Sequence, residues 1–285
     1  MYTKINGCEI YYEIHGNEAG ETIFFIHGGP GMSDCRGDVA AFSSLGNDYR
    51  LVFMDMRGSG RSESKPPFTH EQWTDDIDAF RVFLGADKIH MLGGSYGGFL
   101  TLEYALKYQQ HLQSITLRDT AANDDFNYIS TERALASKLP GINEEMLERL
   151  FEGRVSSNEE FKDMIKAILP LYTVEQDSAG VNEKIANIYL HYETHNYAFS
   201  VNKKSYNISN RLSEIKPPVL VTVGVHDWVT PVECSEELAG KLPNNTFIKF
   251  ENSGHSPHQE ENGEYVRVFR EHLAKNRIET ESTMN

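Results

Sequence analysis

The chain has 285 residues, 39% hydrophobic and 24% charged, enough for one sizeable α/β domain carrying an inserted subdomain. No apolar run approaches the ~18 residues that a membrane span needs, and a formal net charge of −15 repels phosphate backbones and anionic lipid, which argues against nucleic acid and membrane partners. The opening MYTKINGCEIYYEIHG has no apolar stretch behind a basic one, and Cys8, Cys35 and Cys234 show neither disulfide nor metal-ligand spacing, so a cytoplasmic protein is expected.

In chain order, CEIYYEIH alternates apolar with polar residues and predicts a half-exposed edge strand. TIFFIH, RLVFMD, KIHML and SITLRD predict buried strands. Between them, WTDDIDAFRVFLG sets Ile77, Phe80 and Leu84 at helical spacing and ends on Gly85, a C-cap. This rhythm predicts βαβ units and an α/β class with a mostly parallel central sheet flanked by helices. From about 121 to 210 the strand rhythm disappears. NEEMLERLFEG runs from an Asn143 N-cap to Gly153, and SSNEEFKDMIKAILP pairs Ser157 with Glu160 as a capping box and stops at Pro170. VLVTVG and NTFIKFE resume the strands, and EYVRVFREHL closes with a helix. The expected organisation is a core at 1–120 and 211–275, an all-helical cap at 121–210, and a flexible tail at 276–285.

HMLGGSYGGFL sets Gly93-Gly94-Ser95-Tyr96-Gly97 between a strand and a helix. That is the context a G-x-S-x-G nucleophile elbow requires, because small residues let the sharp turn hold a serine exposed. The competing reading is a glycine turn whose serine only caps the helix. A nucleophilic serine also needs a base and an anion-stabilising pocket. HGGPG, after the strand TIFFI, offers unobstructed backbone N–H groups, and those of Gly29 and Tyr96 are the candidate oxyanion hole. Asp227 ends one strand and His255 follows the next, giving the order serine, aspartate, histidine. His255 would carry the proton and Asp227 would orient it. The competing acid is Asp119, at the end of SITLRD. His258 and His226 are the competing bases, and His27 reads as a brace for its glycine loop. DMRGSGRS lacks a phosphate-loop or dinucleotide pattern and reads as a structural turn. No residue cluster has metal-ligand spacing, so neither metal nor cofactor is expected.

HGGPG, DMRGSGRS, GGSYGG, VGVHDWVTP and SGHSPHQEE, in that order, resemble the proline iminopeptidases and their tricorn-associated relatives, serine peptidases of the α/β-hydrolase fold. The resemblance covers nearly the whole chain and is weakest in the helical insertion. It implies a Ser95–His255–Asp227 triad, an oxyanion hole at Gly29 and Tyr96, a cap at about 121–210, a cytoplasmic enzyme without cofactor, and release of an N-terminal residue, typically proline, from short peptides or amides. One departure stands out. An exopeptidase holds the substrate's α-ammonium with carboxylates, and some relatives place a glutamate directly after the catalytic acid, where this chain has Trp228. Tyr197 stands where a second glutamate is expected, leaving Glu193 and Glu233 as nearby substitutes. Two further readings follow: an esterase, lactonase or amino-acid amide hydrolase with the same machinery, and a non-catalytic binding protein on the same fold.

Overall fold

The computed structural model describes residues 1–175 and 178–278. Eight strands form one sheet: β1 (Tyr2–Ile5), β2 (Cys8–Gly16), β3 (Thr22–Ile26), β4 (Arg50–Met54), β5 (Ile89–Gly94), β6 (Leu112–Arg118), β7 (Val219–Gly224) and β8 (Asn245–Phe250). Their spatial order is β1-β2-β4-β3-β5-β6-β7-β8. The β1–β2 and β2–β4 pairs are antiparallel, and every other pair is parallel. This is the mostly parallel sheet the sequence predicts. One detail differs. CEIYYEIH is the second strand, because the short β1 pairs outside it, with Tyr2 opposite Tyr11 and Ile5 opposite Cys8. Four residues with only one buried side chain are too few for periodicity to register.

Strand β3 shows how the two faces are filled. Phe24 and Ile26 point into one apolar cluster with Trp73 and Phe80, while Ile23 and Phe25 point into another with Phe42 and Phe269, as the two-residue repeat of a strand requires. Helices α2 (His70–Phe83), α3 (Tyr96–Tyr108) and α10 (Val232–Lys241) supply the first cluster, and α1 (Arg36–Phe42) and α12 (Asn262–Lys275) the second. With both faces covered, β3 and β7 are buried at every residue. Helix α2 ends before Gly85 at φ +66°, the left-handed C-terminal position that glycine adopts without strain.

Between β6 and β7 the chain is helical: α4 (Asn127–Ala136), α5 (Glu144–Phe151), α6 (Asn158–Ile168), α7 (Ser178–Ala186), α8 (Tyr192–Tyr197), a π-helical turn at Ala198–Asn202 and the single turn α9 (Lys203–Ser205). Asn143 caps α5 and Ser157 caps α6, accepting from Met146 N at 2.9 Å and Glu160 N at 3.2 Å. The return bond of the expected capping box goes one residue further out, since Glu160 accepts from Ser156 N at 2.7 Å. This insertion has its own apolar cluster around Leu147, Phe161 and Ile165, which also takes in Trp228 from beyond β7. After β8, the single turn α11 (Pro257–Glu260) leads into α12. Residues 279–285 of the expected tail lie outside the described residues. No described helix is long and apolar enough to cross a membrane.

Candidate active site

The parallel register places the ends of β3, β5, β6, β7 and β8 along one edge of the sheet, with Ile26 beside Gly93, Arg118 beside Thr222 and Gly224 beside Phe250. Loops leaving these ends meet over a cavity of about 670 Å³ roofed by the helical insertion, the place where open α/β sheets bind ligands. Ser95, Gly29, Tyr96, Trp228 and His255 all line it.

Ser95 has φ +53° and ψ −124°, a strained conformation that a non-glycine residue adopts only when its surroundings impose it. They do so here. Ser95 N donates to Arg118 O at 2.8 Å, and Ser95 O accepts from Gly98 N at 2.9 Å and Thr120 Oγ1 at 2.7 Å. The elbow also packs with no space for side chains. A Cβ on Gly97 would stand 2.1 Å from Ile26 O, and one on Gly28 would stand 2.7 Å from Ser95 Cβ. These contacts account for both glycine motifs at once: the strand-end carbonyls, the HGGPG loop and the elbow lie against one another.

The HGGPG loop is braced from three sides. His27 Nδ1 bonds Gly28 O at 2.8 Å while its Nε2 accepts from Met56 N at 3.0 Å, so His27 carries the proton on Nδ1 and serves the loop. Gly31 N donates to Ser59 Oγ at 3.0 Å, and Gly31 O accepts from His191 N at 2.8 Å. Ser59 belongs to DMRGSGRS, whose Arg57 is bound to buried Asp76 at 2.7 Å and whose Arg61 is bound to buried Asp55 at 2.8 Å. That segment is a structural turn, its arginines used internally. The N–H groups of Gly29 and Tyr96 have no acceptor among the described residues. The Tyr96 phenol is turned away, bonded to His70 Nε2 at 2.7 Å and donating to Ala198 O at 3.2 Å.

Asp227 and His255 are paired, Nδ1 to Oδ2 at 2.8 Å, and both are buried. Asp227 is held in turn by Val229 N at 2.7 Å, Thr230 N at 3.2 Å and Thr230 Oγ1 at 2.8 Å, so the carboxylate has a fixed orientation. The His255 ring packs edge-on against Tyr172, centroids 5.2 Å apart. Burial works against the His255 imidazolium. The charge and hydrogen bond of Asp227, with the charge of Asp119, outweigh it, and the net shift is upward from 6.5. Among the described residues no hydrogen bond joins Ser95 Oγ to this ring, a leg that commonly tightens only with substrate present.

The competitors are placed differently. His226 is exposed. His258 stacks on Phe42 at 6.0 Å, and burial, together with the charge of Arg118, drives its imidazolium well below 6.5. Asp119 is the surprise. It sits at φ +49°, buried, with Oδ1 accepting from Gly224 N at 2.9 Å and Oδ2 without a partner among the described residues. Burial first, then the charge of Asp227, push its carboxyl up to about 8.

The expected substrate contacts are only partly met. Trp228 lines the cavity and also belongs to the apolar cluster of the helical insertion, 6.2 Å from Phe151 and 5.8 Å from Tyr172 by ring centroid, with Nε1 buried and without a partner among the described residues. Glu193 and Glu233 are exposed in the first turns of α8 and α10, and Glu233 faces Arg133 at 3.4 Å. Tyr197 packs against the sheet-side core near Phe68. None of these three lines the cavity. For Glu233, six residues after the acid, sequence proximity did not translate into orientation, because a helix turns the next side chains to other faces. Reading the sequence also misses Lys203, which lines the cavity and is only 4% exposed. In SVNKKSYN it is indistinguishable from its exposed neighbour Lys204, and only the preceding π turn and the aromatic packing separate them.

Residues 21–262 match the family model described as the alpha/beta hydrolase fold. The chain is 36% identical over 278 residues to the proline iminopeptidase PfmaB of Pestalotiopsis fici, covering 96% of this chain and 99% of that one. It is 28% identical to a proline iminopeptidase of Clostridioides difficile, over 96% and 98% of the two chains. Among solved structures it is similar in fold to a thermophilic esterase from Thermogutta terrifontis, with TM-score 0.77, 24% identity, and 98% and 100% of the two chains covered. It is similar again to an enol-lactonase from Burkholderia xenovorans, with TM-score 0.77, 21% identity, and 96% and 100% covered.

Proposed function

The chain belongs to the proline iminopeptidase family of α/β-hydrolases and is a serine hydrolase of that type, and on that premise we propose the following residue roles and substrate class. Ser95 Oγ attacks a carbonyl carbon in the cavity while His255 takes its proton. The oxyanion that forms is met by the N–H groups of Gly29 and Tyr96. His255 then protonates the leaving group, and water releases the acyl group from Ser95 by the same steps in reverse. Asp227 holds the ring with its second nitrogen toward the serine side and stabilises the imidazolium. Residues 121–210 act as the cap over the acyl group.

The observation that carries this reading is the convergence at one sheet edge of a strained serine, a buried His255–Asp227 pair and two N–H groups without acceptors. The relatives' names suggest the substrate class: a short peptide or amide with proline or another small residue at its N-terminus. The test uses prolyl arylamide and a fluorophosphonate probe. Ser95→Ala is expected to lose turnover by up to ~10⁶-fold and to lose labelling altogether. Labelling that survives the substitution would refute the assignment.

A second reading, hydrolysis of an ester, lactone or amide with no free amine, is favoured by one specific observation. Of the carboxylates lining the cavity, Asp38 is bound to Arg118 at 2.8 Å, Asp34 to Arg36 at 2.6 Å, and Glu183 is exposed. None is a buried, unpaired anchor for an α-ammonium. If blocking the substrate's amine leaves the rate unchanged, this second reading replaces the exopeptidase.

A further inference from the structure

The cap half of the cavity contains a buried cation. The side chain of Lys203 is 5% exposed and its Nζ lies 5.2 Å from the ring centroid of Phe199, 5.3 Å from that of Phe126 and 5.5 Å from that of Phe151. All three rings line the cavity. An ammonium group has three N–H donors. Here two have oxygen partners, Asn127 Oδ1 at 2.5 Å and Asp124 Oδ1 at 2.8 Å, and the third has none among the described residues. Phe151 also packs against Trp228, whose indole N–H is likewise buried and unpartnered. Two donors without acceptors thus flank one aromatic ring of the cavity wall.

We propose that Lys203, with Trp228 beside it, is the specificity determinant of this cavity, and that it selects substrates bearing an uncharged oxygen acceptor, a keto or hydroxyl group, on the part that enters the cap. The proposal rests on the serine hydrolase reading above and, on substrate, sides with its second form, in which the substrate carries no free amine. The charge of Lys203 is already balanced by Asp124, so its remaining N–H has more to gain from a neutral oxygen than from a second anion, whose burial there would leave a net charge uncompensated. An ammonium-bearing substrate meets a like charge at low dielectric with no free carboxylate to offset it. A purely aliphatic one fills the aromatic box yet leaves both donors unmet, and a site built to hydrogen-bond a group discriminates against analogues that lack it.

Three phenyl esters with six-carbon acyl chains separate these cases: hexanoate, 5-oxohexanoate and 6-aminohexanoate. The wild-type protein is expected to rank them by kcat/KM with 5-oxohexanoate first and 6-aminohexanoate last, the oxo ester exceeding the plain one by roughly 10-fold or more, as a hydrogen bond to a charged donor allows. In Lys203→Met, and in the charge-neutral pair Lys203→Met with Asp124→Asn, the ratio of the oxo to the plain ester is expected to fall to about one, whatever the absolute rates. Lys203→Arg retains part of the preference. A wild-type ratio near one, a preference for the amino ester, or a ratio unchanged in folded variants overturns the proposal; if the variants do not fold, the wild-type ranking alone decides. Hydrolysis of none of the three esters above the level of Ser95→Ala refutes the hydrolase reading and the proposal together, whereas turnover of hexanoate without a preference refutes the proposal alone.

Discussion

The carboxylate of Asp119 stands beside that of Asp227, the two and a ring nitrogen of His255 lying within 4.8 Å of one another. Two buried acids around one base cannot both ionise without cost, and it is Asp119 whose carboxyl is pushed up, from 3.8 to about 8. A group whose folded value is raised contributes stability below its unfolded value and loses it as pH climbs through the folded one. Asp119→Asn stays neutral throughout. It is therefore expected to gain stability relative to the wild type as pH rises from about 4 to about 8, the interval between the two values. Melting temperatures measured across that interval check this, and curves that run parallel would contradict it.

In the proposed mechanism the same cluster sets the pH at which catalysis begins. A general base acts as neutral imidazole, and the net effect of burial, Asp227 and Asp119 is to raise His255 above 6.5. The acidic limb of kcat/KM is expected to have its midpoint above that value. Asp227→Asn should move it down and lose up to ~10⁴-fold in rate, since the ring is then no longer held in the required tautomer, whereas Asp119→Asn, which replaces a carboxyl largely neutral below about 8, should leave the midpoint close to that of the wild type with modest loss of rate. A pH–rate profile for each variant distinguishes the two effects.

Gly28 tests the contact between the glycine loop and the elbow. Its added methyl would lie 2.7 Å from Ser95 Cβ and 2.8 Å from Gly94 O, neither of which is the flexible end of a side chain. Gly28→Ala is expected to displace the serine by a fraction of an ångström and cost ~100-fold in kcat/KM, while overpacking costs ~1–3 kcal/mol of stability. Steady-state kinetics with denaturant melts separate the two. Full activity would mean the loop moves without consequence.

Trp228 joins the apolar cluster of the helical insertion to the cavity. Trp228→Ala removes contacts to Phe151 and Tyr172 and is expected to cost ~3–5 kcal/mol. Trp228→Phe keeps much of the packing and deletes an N–H that has no partner, so it should cost clearly less. Urea unfolding of both variants gives the comparison; equal losses would show that the indole N–H is satisfied after all.

The sheet was legible because it is encoded locally, and helices between β6 and β7 and a strained turn at Ser95 stand where local signals put them. All-apolar runs mark strands covered on both faces, and an elbow needs small residues at fixed offsets from its serine. The order of Asp227 and His255 along the chain was enough to predict that they lie near each other, since both follow strands of one parallel sheet. Three features were not legible. β1 is too short to show a period. Glu193 and Glu233 lie within three residues of cavity residues, His195 and Thr230, yet their helices carry them to solvent. Lys203 is buried by Phe126, Phe151 and Phe199, two of them at least fifty residues upstream, a contact that no window around SVNKKSYN contains.

Gly31 is held at both of its backbone polar atoms, by Ser59 on the sheet side and by His191 on the cap side, and a Cβ there would stand 2.3 Å from His191 O. The loop that presents Gly29 N–H is therefore also a rivet through the start of α8. Widening the cavity here has to break the His191–Gly31 bond or carry both segments together. Amide exchange at His191 is expected to lag that at Val174, an exposed residue whose N–H donates to the Glu260 side chain; the reverse order would show that the Gly31–His191 contact does not hold the two segments together.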